Sequence, residues 1–166
     1  TYPDASIIDE LYLDRLRSDE PTPGTGRLRR YRLPLKGGSV SSSIQSDERL
    51  ELPRIHEDAA RAQPYRYVYG VGERGEGTFT DQLVKIDVET SAAQVWREDG
   101  TYPGEPVFVP HPDGADEDAG VVLSVVLDPD AERSFLIVLD AASFTERARA
   151  EVPHAIPFGF HGQFFE

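Results

Sequence analysis

The apolar positions of the chain fall in short runs rich in β-branched and aromatic residues. Residues 27–35 read RLRRYRLPL, mostly apolar alternating with charged; 65–69 read YRYVY; 83–88 read LVKIDV; 120–127 read GVVLSVVL; 135–139 read FLIVL. Each run is bounded by Gly, Pro, Asp or Ser, the pattern of β-strands separated by turns. Residues 4–17 and 57–62 carry only a weak helical period. The expected class is all-β, with antiparallel neighbours because the connections are short.

The chain also resembles itself. YRLPLKGGSV, VKIDVETSAA and IVLDAASFTE each have the form strand, tight turn, strand, and align with Pro34, Asp87 and Asp140 in one column, 53 residues apart at both steps. Each is followed by a short run near Pro, Gly or Phe with one polar residue: Glu51 in LELPRI, Glu105 in GEPVFV and His161 in FGFHGQ, 54 and 56 residues apart. A period of about 40–50 residues holding four short strands marks a propeller blade. Three units, roughly 1–53, 54–106 and 107–166, fill the chain as part of one propeller domain. A closed ring needs about four to eight blades. The expectation is therefore a partial β-propeller, the C-terminal part of a longer protein, and the absence of Met agrees.

Residues at one repeat position converge on the propeller axis, so Glu51, Glu105 and His161 are expected near one another. Two buried carboxylates beside an imidazole suit a metal site or a polar network around one. The alternative places both Glu at solvent-facing strand starts. His56, followed by Glu57 and Asp58, reads as surface; His111, in PHPDG, as an exposed turn; His154 as loop packing that could also line a pocket. Ser41–Ser43 has no paired base. Gly70, Gly72, Gly75 and Gly77 lack the Lys and following helix of a phosphate cradle. Residues 115–120, ADEDAG, lack the spaced ligands of a calcium loop and read as a solvated acidic loop.

Seventeen Lys and Arg stand against 30 Asp and Glu, a net charge of −13, and only Lys36 and Lys85 are Lys. Such a surface argues against nucleic-acid binding and against docking on anionic lipid by charge alone. High Asp and Glu with almost no Lys is the pattern of a halophilic cytoplasmic protein. Without Cys there is no disulfide, thiolate metal site or Cys nucleophile. No apolar run is long enough to span a bilayer, and TYPDASIIDE has no signal pattern. The expected location is cytoplasmic.

LELPRI, YRYVYG, GEPVFVPHP, EDAGVVLSVVLD and IPFGFHGQF, in this order and spacing, resemble the C-terminal portion of the carotenoid cleavage oxygenases, a family that includes the retinoid isomerase of the retinal pigment epithelium. The resemblance covers nearly the whole chain. It implies a seven-bladed propeller, of which about three four-stranded blades lie here, with Fe(II) on its axis held by four His and supported by three Glu. On that basis His161 matches the last iron ligand, and Glu51 and Glu105 match two of the supporting carboxylates. Phe158, Phe160 and His154 become candidates for pocket lining. Where His56 stands, the family usually has Asn. The implied reaction adds O2 across a C=C bond of a carotenoid, apocarotenoid or related polyene to give two carbonyl products. An isomerase, a non-catalytic binding propeller and an inactive fragment are the competing expectations. The segment alone, with one such His, is expected to be inactive, and any contact with a membrane surface is expected through segments upstream of it. Neutral imidazoles suit Fe(II), and a carboxylate on the non-ligating ring N–H fixes the tautomer of a ligand His.

Overall fold

The computed structural model of the chain describes residues 26–60, 63–74 and 79–165. The weak helical stretch at 4–17 and the glycines at 75 and 77 lie outside them. Among the described residues eleven strands form three antiparallel sheets in sequence order. The first is a hairpin of β1 (Arg27–Arg32) and β2 (Ser41–Arg49). The second has the order β3 (Glu51–Arg54), β4 (Tyr67–Gly72), β5 (Gln82–Asp87), β6 (Ala93–Trp96), with a single helical turn α1 (Glu57–Ala60) after β3. In the third, β9 (Gly120–Asp128) pairs along its length with β7 (Tyr102–Pro103) and β8 (Val107–Pro110), then with β10 (Arg133–Asp140) and, through it, β11 (Glu146–Val152).

The five expected strands correspond to β1, β4, β5, β9 and β10. Of the helical period at 57–62, the described residues form the turn α1, and residues 61 and 62 lie outside them. The all-β class holds, and the sheets follow one another as blades do.

The repeat is visible at the turns. Asp87 closes β5 and Asp140 closes β10, each accepting a backbone N–H from the residue four positions on, Ser91 and Phe144, at 2.8 Å. Those two residues, and Gly38 four positions after Pro34, all have positive φ, at 63°, 57° and 119°. The turns after Asp87 and Asp140 thus share one geometry, while the turn after Pro34 differs from them, with Gly38 at a much larger φ.

Sheets two and three pack face to face through Tyr69, Val71, Leu83, Val122, Val126, Ile137 and Leu139. On its other face the second sheet packs Val68, Val84 and Ile86 against Leu28 of the first and Leu50, which links the two sheets. Strand β5 is therefore covered on both sides, and its run LVKI is buried throughout. Lys85, within that run, is 3% exposed. Its Nζ donates to Asp118 Oδ2 at 2.7 Å and to the carbonyls of Ala141 at 2.7 Å and Ala142 at 3.1 Å, and lies 4.2 Å from the Tyr67 ring centre.

The expectation of a solvated acidic loop at 115–120 is corrected. Asp118 holds Lys85, and both carboxylate oxygens of Glu117 accept backbone N–H groups of Arg66 and Tyr67 at 2.8–2.9 Å. The loop carries charge because it staples the third sheet to the second.

Candidate metal-ligand site

Glu105 lies between β7 and β8, the two short strands that lead into the long strand β9. Its side chain is only 4% exposed. Residues 153–165 cross the outer face of the third sheet, anchored where Ser134 N–H donates to the His154 carbonyl at 3.1 Å and Ile156 N–H to Ser134 Oγ at 3.0 Å. This path brings His161 to Glu105. The His161 Nδ1–H donates to Glu105 Oε1 at 3.1 Å, and Gly162 N–H donates to Oε2 at 2.9 Å. A carboxylate oxygen only accepts, so in the neutral imidazole the ring proton sits on Nδ1 and the Nε2 lone pair is left free. The imidazole is 65% exposed, with the Phe160 ring edge-on at 4.7 Å.

Strand β3 supplies the neighbours. Its register against β4 pairs Glu51 with Val71 and Arg54 with Tyr69, so that Leu52 and Pro53 together oppose Gly70 and one residue is bulged. Leu52 takes φ 49° within that bulge. The extra residue restores Glu51 and Arg54 to one side of the strand, which strict alternation would deny them. Arg54 Nη1 reaches Glu105 Oε2 at 3.2 Å and the Gly162 carbonyl at 3.1 Å, while Nη2 pairs with Glu57 at 3.1 Å. Glu51 is half-buried, and burial followed by the charge of Glu73 pushes its carboxyl above the usual range. Glu73 is itself held by Arg49 at 3.2 Å. Among the described residues Glu51 makes no hydrogen bond to Glu105 or His161. The backbone of β3 lies against Gly70, where a Cβ would stand 2.5 Å from the Glu51 carbonyl oxygen.

Beside His161 a cavity of about 290 Å³ lies between residues 156–164 and the third sheet. Phe158 and Phe160 line it with Tyr102, Leu123, Val125 and Phe164, and the Glu105–His161 pair forms its polar corner. Phe79, Tyr102 and Phe158 form a ring cluster at its border, with centroids 4.5–6.2 Å apart. One convergent polar pair in an apolar wall is the usual build of a small-molecule pocket.

His154 does not line this cavity; it is exposed and contributes its carbonyl. His56 is corrected from a surface residue. Its ring packs 4.8 Å from that of Phe108, and its Nδ1 is buried. His111 is exposed in its turn, as expected. Arg54, Tyr102 and Phe79 carry no signal in the repeat pattern and emerge only from the fold.

Among the described residues no three His, Asp or Glu side chains gather as a metal-holding cluster. His161 itself offers one imidazole nitrogen, Nε2, opposite the nitrogen that Glu105 holds. No helix of the described residues is long and apolar enough to cross a membrane.

A profile described as retinal pigment epithelial membrane protein matches residues 1–166. The mitochondrial carotenoid-cleaving dioxygenase of Homo sapiens is 47% identical over 122 residues, 73% of this chain and 21% of that protein. The chloroplastic carotenoid cleavage dioxygenase 8 homolog A of Oryza sativa subsp. japonica is 37% identical over 97% of this chain and 30% of its own length. The chain thus spans less than a third of the curated relatives it matches. Among solved structures, a mutant of Synechocystis ACO superposes with a TM-score of 0.79 at 28% identity, covering 84% of this chain and 30% of that one. A cobalt-substituted Synechocystis ACO gives 0.78 at 28% identity, covering 82% and 29%. By the full-length profile match and these relatives, the chain belongs to the retinal pigment epithelial membrane protein family of carotenoid cleavage oxygenases.

Proposed function

We propose that this chain forms part of a non-haem Fe(II) dioxygenase that cleaves a C=C bond of a carotenoid, apocarotenoid or related polyene. One O2 is consumed per bond, and each alkene carbon leaves as a carbonyl. The observation that carries this reading is the Glu105–His161 pair at the polar corner of the apolar cavity. His161 would donate Nε2 to the metal. Glu105 holds the opposite ring nitrogen and so sets the orientation of the imidazole and raises its basicity. Glu51 would serve another ligand His in the same way, supplied by a part of the protein outside this chain. Without such a partner it is a half-buried acid beside Glu73, which accounts for the direction of its pKa.

When bound, Fe(II) would supply the site at which O2 is activated. The chain's own contribution is binding and exclusion of water. Phe158, Phe160, Phe164 and Tyr102 present ring faces and edges to an apolar chain, and the wall offers it few competing polar groups. The relatives named as carotenoid and torulene dioxygenases support the substrate class.

The test is His161→Ala in the full-length protein, with iron content and polyene cleavage both measured. Iron should fall well below one equivalent, and the two carbonyl products should disappear. Stoichiometric iron retained by the variant would overturn the ligand assignment.

A further inference from the structure

Among the described residues Arg54 is the one cation in contact with both partners of the Glu105–Gly162 junction, and it comes from a different sheet. Its side chain is 18% exposed and that of Glu105 4%. It reaches the junction because the bulge at Leu52 turns it toward the third sheet. Three donors converge on Glu105: His161 Nδ1–H and Gly162 N–H from the crossing segment, and Arg54 Nη1 from β3. The same guanidinium nitrogen also holds the Gly162 carbonyl. The carboxylate is therefore gripped on one oxygen by backbone and guanidinium, which leaves the other, Oε1, aimed at the imidazole. Loss of Arg54 would free Glu105 to rotate about its side-chain bonds and would free the peptide next to His161.

We infer that Arg54 is a positioning residue that fixes the Nδ1–H tautomer of His161, and hence its free Nε2, by locking the Glu105 carboxylate and the Gly162 peptide to the neighbouring sheet. This rests on the reading of His161 as a metal donor, but its first readout does not. Arg suits the task where Lys does not, because one planar fork meets a carboxylate, a carbonyl and Glu57 at once. A bulge beside the site, with a non-Gly residue at positive φ, is the backbone cost of bringing that fork into place.

The experiment compares the full-length protein, free of metal, with its Arg54→Gln and Arg54→Lys variants. The ring-nitrogen NMR shifts of His161 are assigned by difference against His161→Ala, and melting temperature is followed in parallel. The native chain should show Nδ1 protonated. Arg54→Gln should move His161 toward the Nε2–H form or a mixture, with Arg54→Lys intermediate. Cobalt(II) binding, read from its visible absorption, should weaken by about tenfold in Arg54→Gln, the scale seen when the support of a ligand His is removed. Should Arg54→Gln fail to fold, Arg54→Lys decides alone, since it keeps the charge and loses the fork. A variant that melts earlier but keeps the Nδ1–H tautomer would overturn the inference and leave Arg54 a mere link between sheets. If cobalt fails to bind even the native full-length protein while the tautomer still follows Arg54, the metal reading falls and the positioning role stands.

Discussion

A single carboxylate, Glu105, satisfies three donors that the fold delivers from two directions. Gln at that position offers one oxygen acceptor and brings two N–H groups to a place already crowded with donors. Glu105→Gln should therefore destabilise the protein by about 2–3 kcal/mol, the scale for hydrogen bonds to a buried charged group, and urea unfolding would show a lower midpoint at unchanged slope. An unchanged midpoint would mean that the carboxylate is not gripped as described. At this scale the sequence was legible where the repeat marked it. Glu105 and His161 stand 56 residues apart, yet equivalence between units pairs them. Arg54 was not legible, because it is one of fifteen Arg and its reach depends on the bulge at Leu52. His56 was misread because its acidic followers suggested solvent, while Phe108, from the next sheet, covers its ring.

At the scale of elements, the turns closing β5 and β10 depend on ionised Asp side chains. Hydrogen bonds from Arg66 hold the Asp87 carboxyl well below its usual range, and the Ser143 backbone N–H does the same for Asp140. A lowered folded pKa means stability that is present above the unfolded value, about 3.9, and is lost as pH falls through the folded one. Glu51 has the opposite sign. Its raised carboxyl takes up a proton in the folded state first, and folding gains as pH falls through that range. Melting temperature should thus drop steeply only below about pH 4. Asp140→Asn should flatten that acid limb while lowering stability at neutral pH, and an unaltered limb would remove Asp140 from the account. Gly70 sets how closely β3 approaches β4. A Cβ there meets the Glu51 carbonyl and Leu50 at 2.5 Å, and backbone cannot yield as a side-chain tip can. Gly70→Ala should cost about 1–3 kcal/mol as overpacking does, measurable by the same unfolding curves. Strands β4, β5, β9 and β10 were legible because buried faces demand apolar runs. Strand β11 reads ERARAEV and β2 reads SSSIQSDER, outer strands whose polar faces meet water and leave little periodic signal. Strand β3 is four residues with a Pro and a bulge, too short and irregular for a period of two.

At the scale of the whole molecule, two kinds of charge behave differently. The Lys85–Asp118 pair and its carbonyl partners lie between sheets, shielded from solvent. Lys85→Met would leave Asp118 and two carbonyls without their donor and should cost about 3–5 kcal/mol, as removal of one partner of a buried pair does. Adding Asp118→Asn should recover part of that loss, and strictly additive losses would show that the two groups are not coupled. The surface excess of Asp and Glu, by contrast, repels itself through water. A net charge of −13 on this chain opposes compaction, and exposed pairs such as Arg74–Asp99, with Asp99 86% exposed, offset little of it. Raising salt from about 0.1 M to about 1 M shortens the screening length from about 10 Å to about 3 Å. That should relieve the repulsion while leaving the buried pair untouched. Melting temperature should therefore rise with KCl over this range, in the native chain and in Lys85→Met by the same increment. A fall with salt would mean that exposed ion pairs outweigh the net repulsion, and the halophilic reading of the composition would lose its physical basis. A larger increment in Lys85→Met would instead show that salt reaches the interface between the sheets.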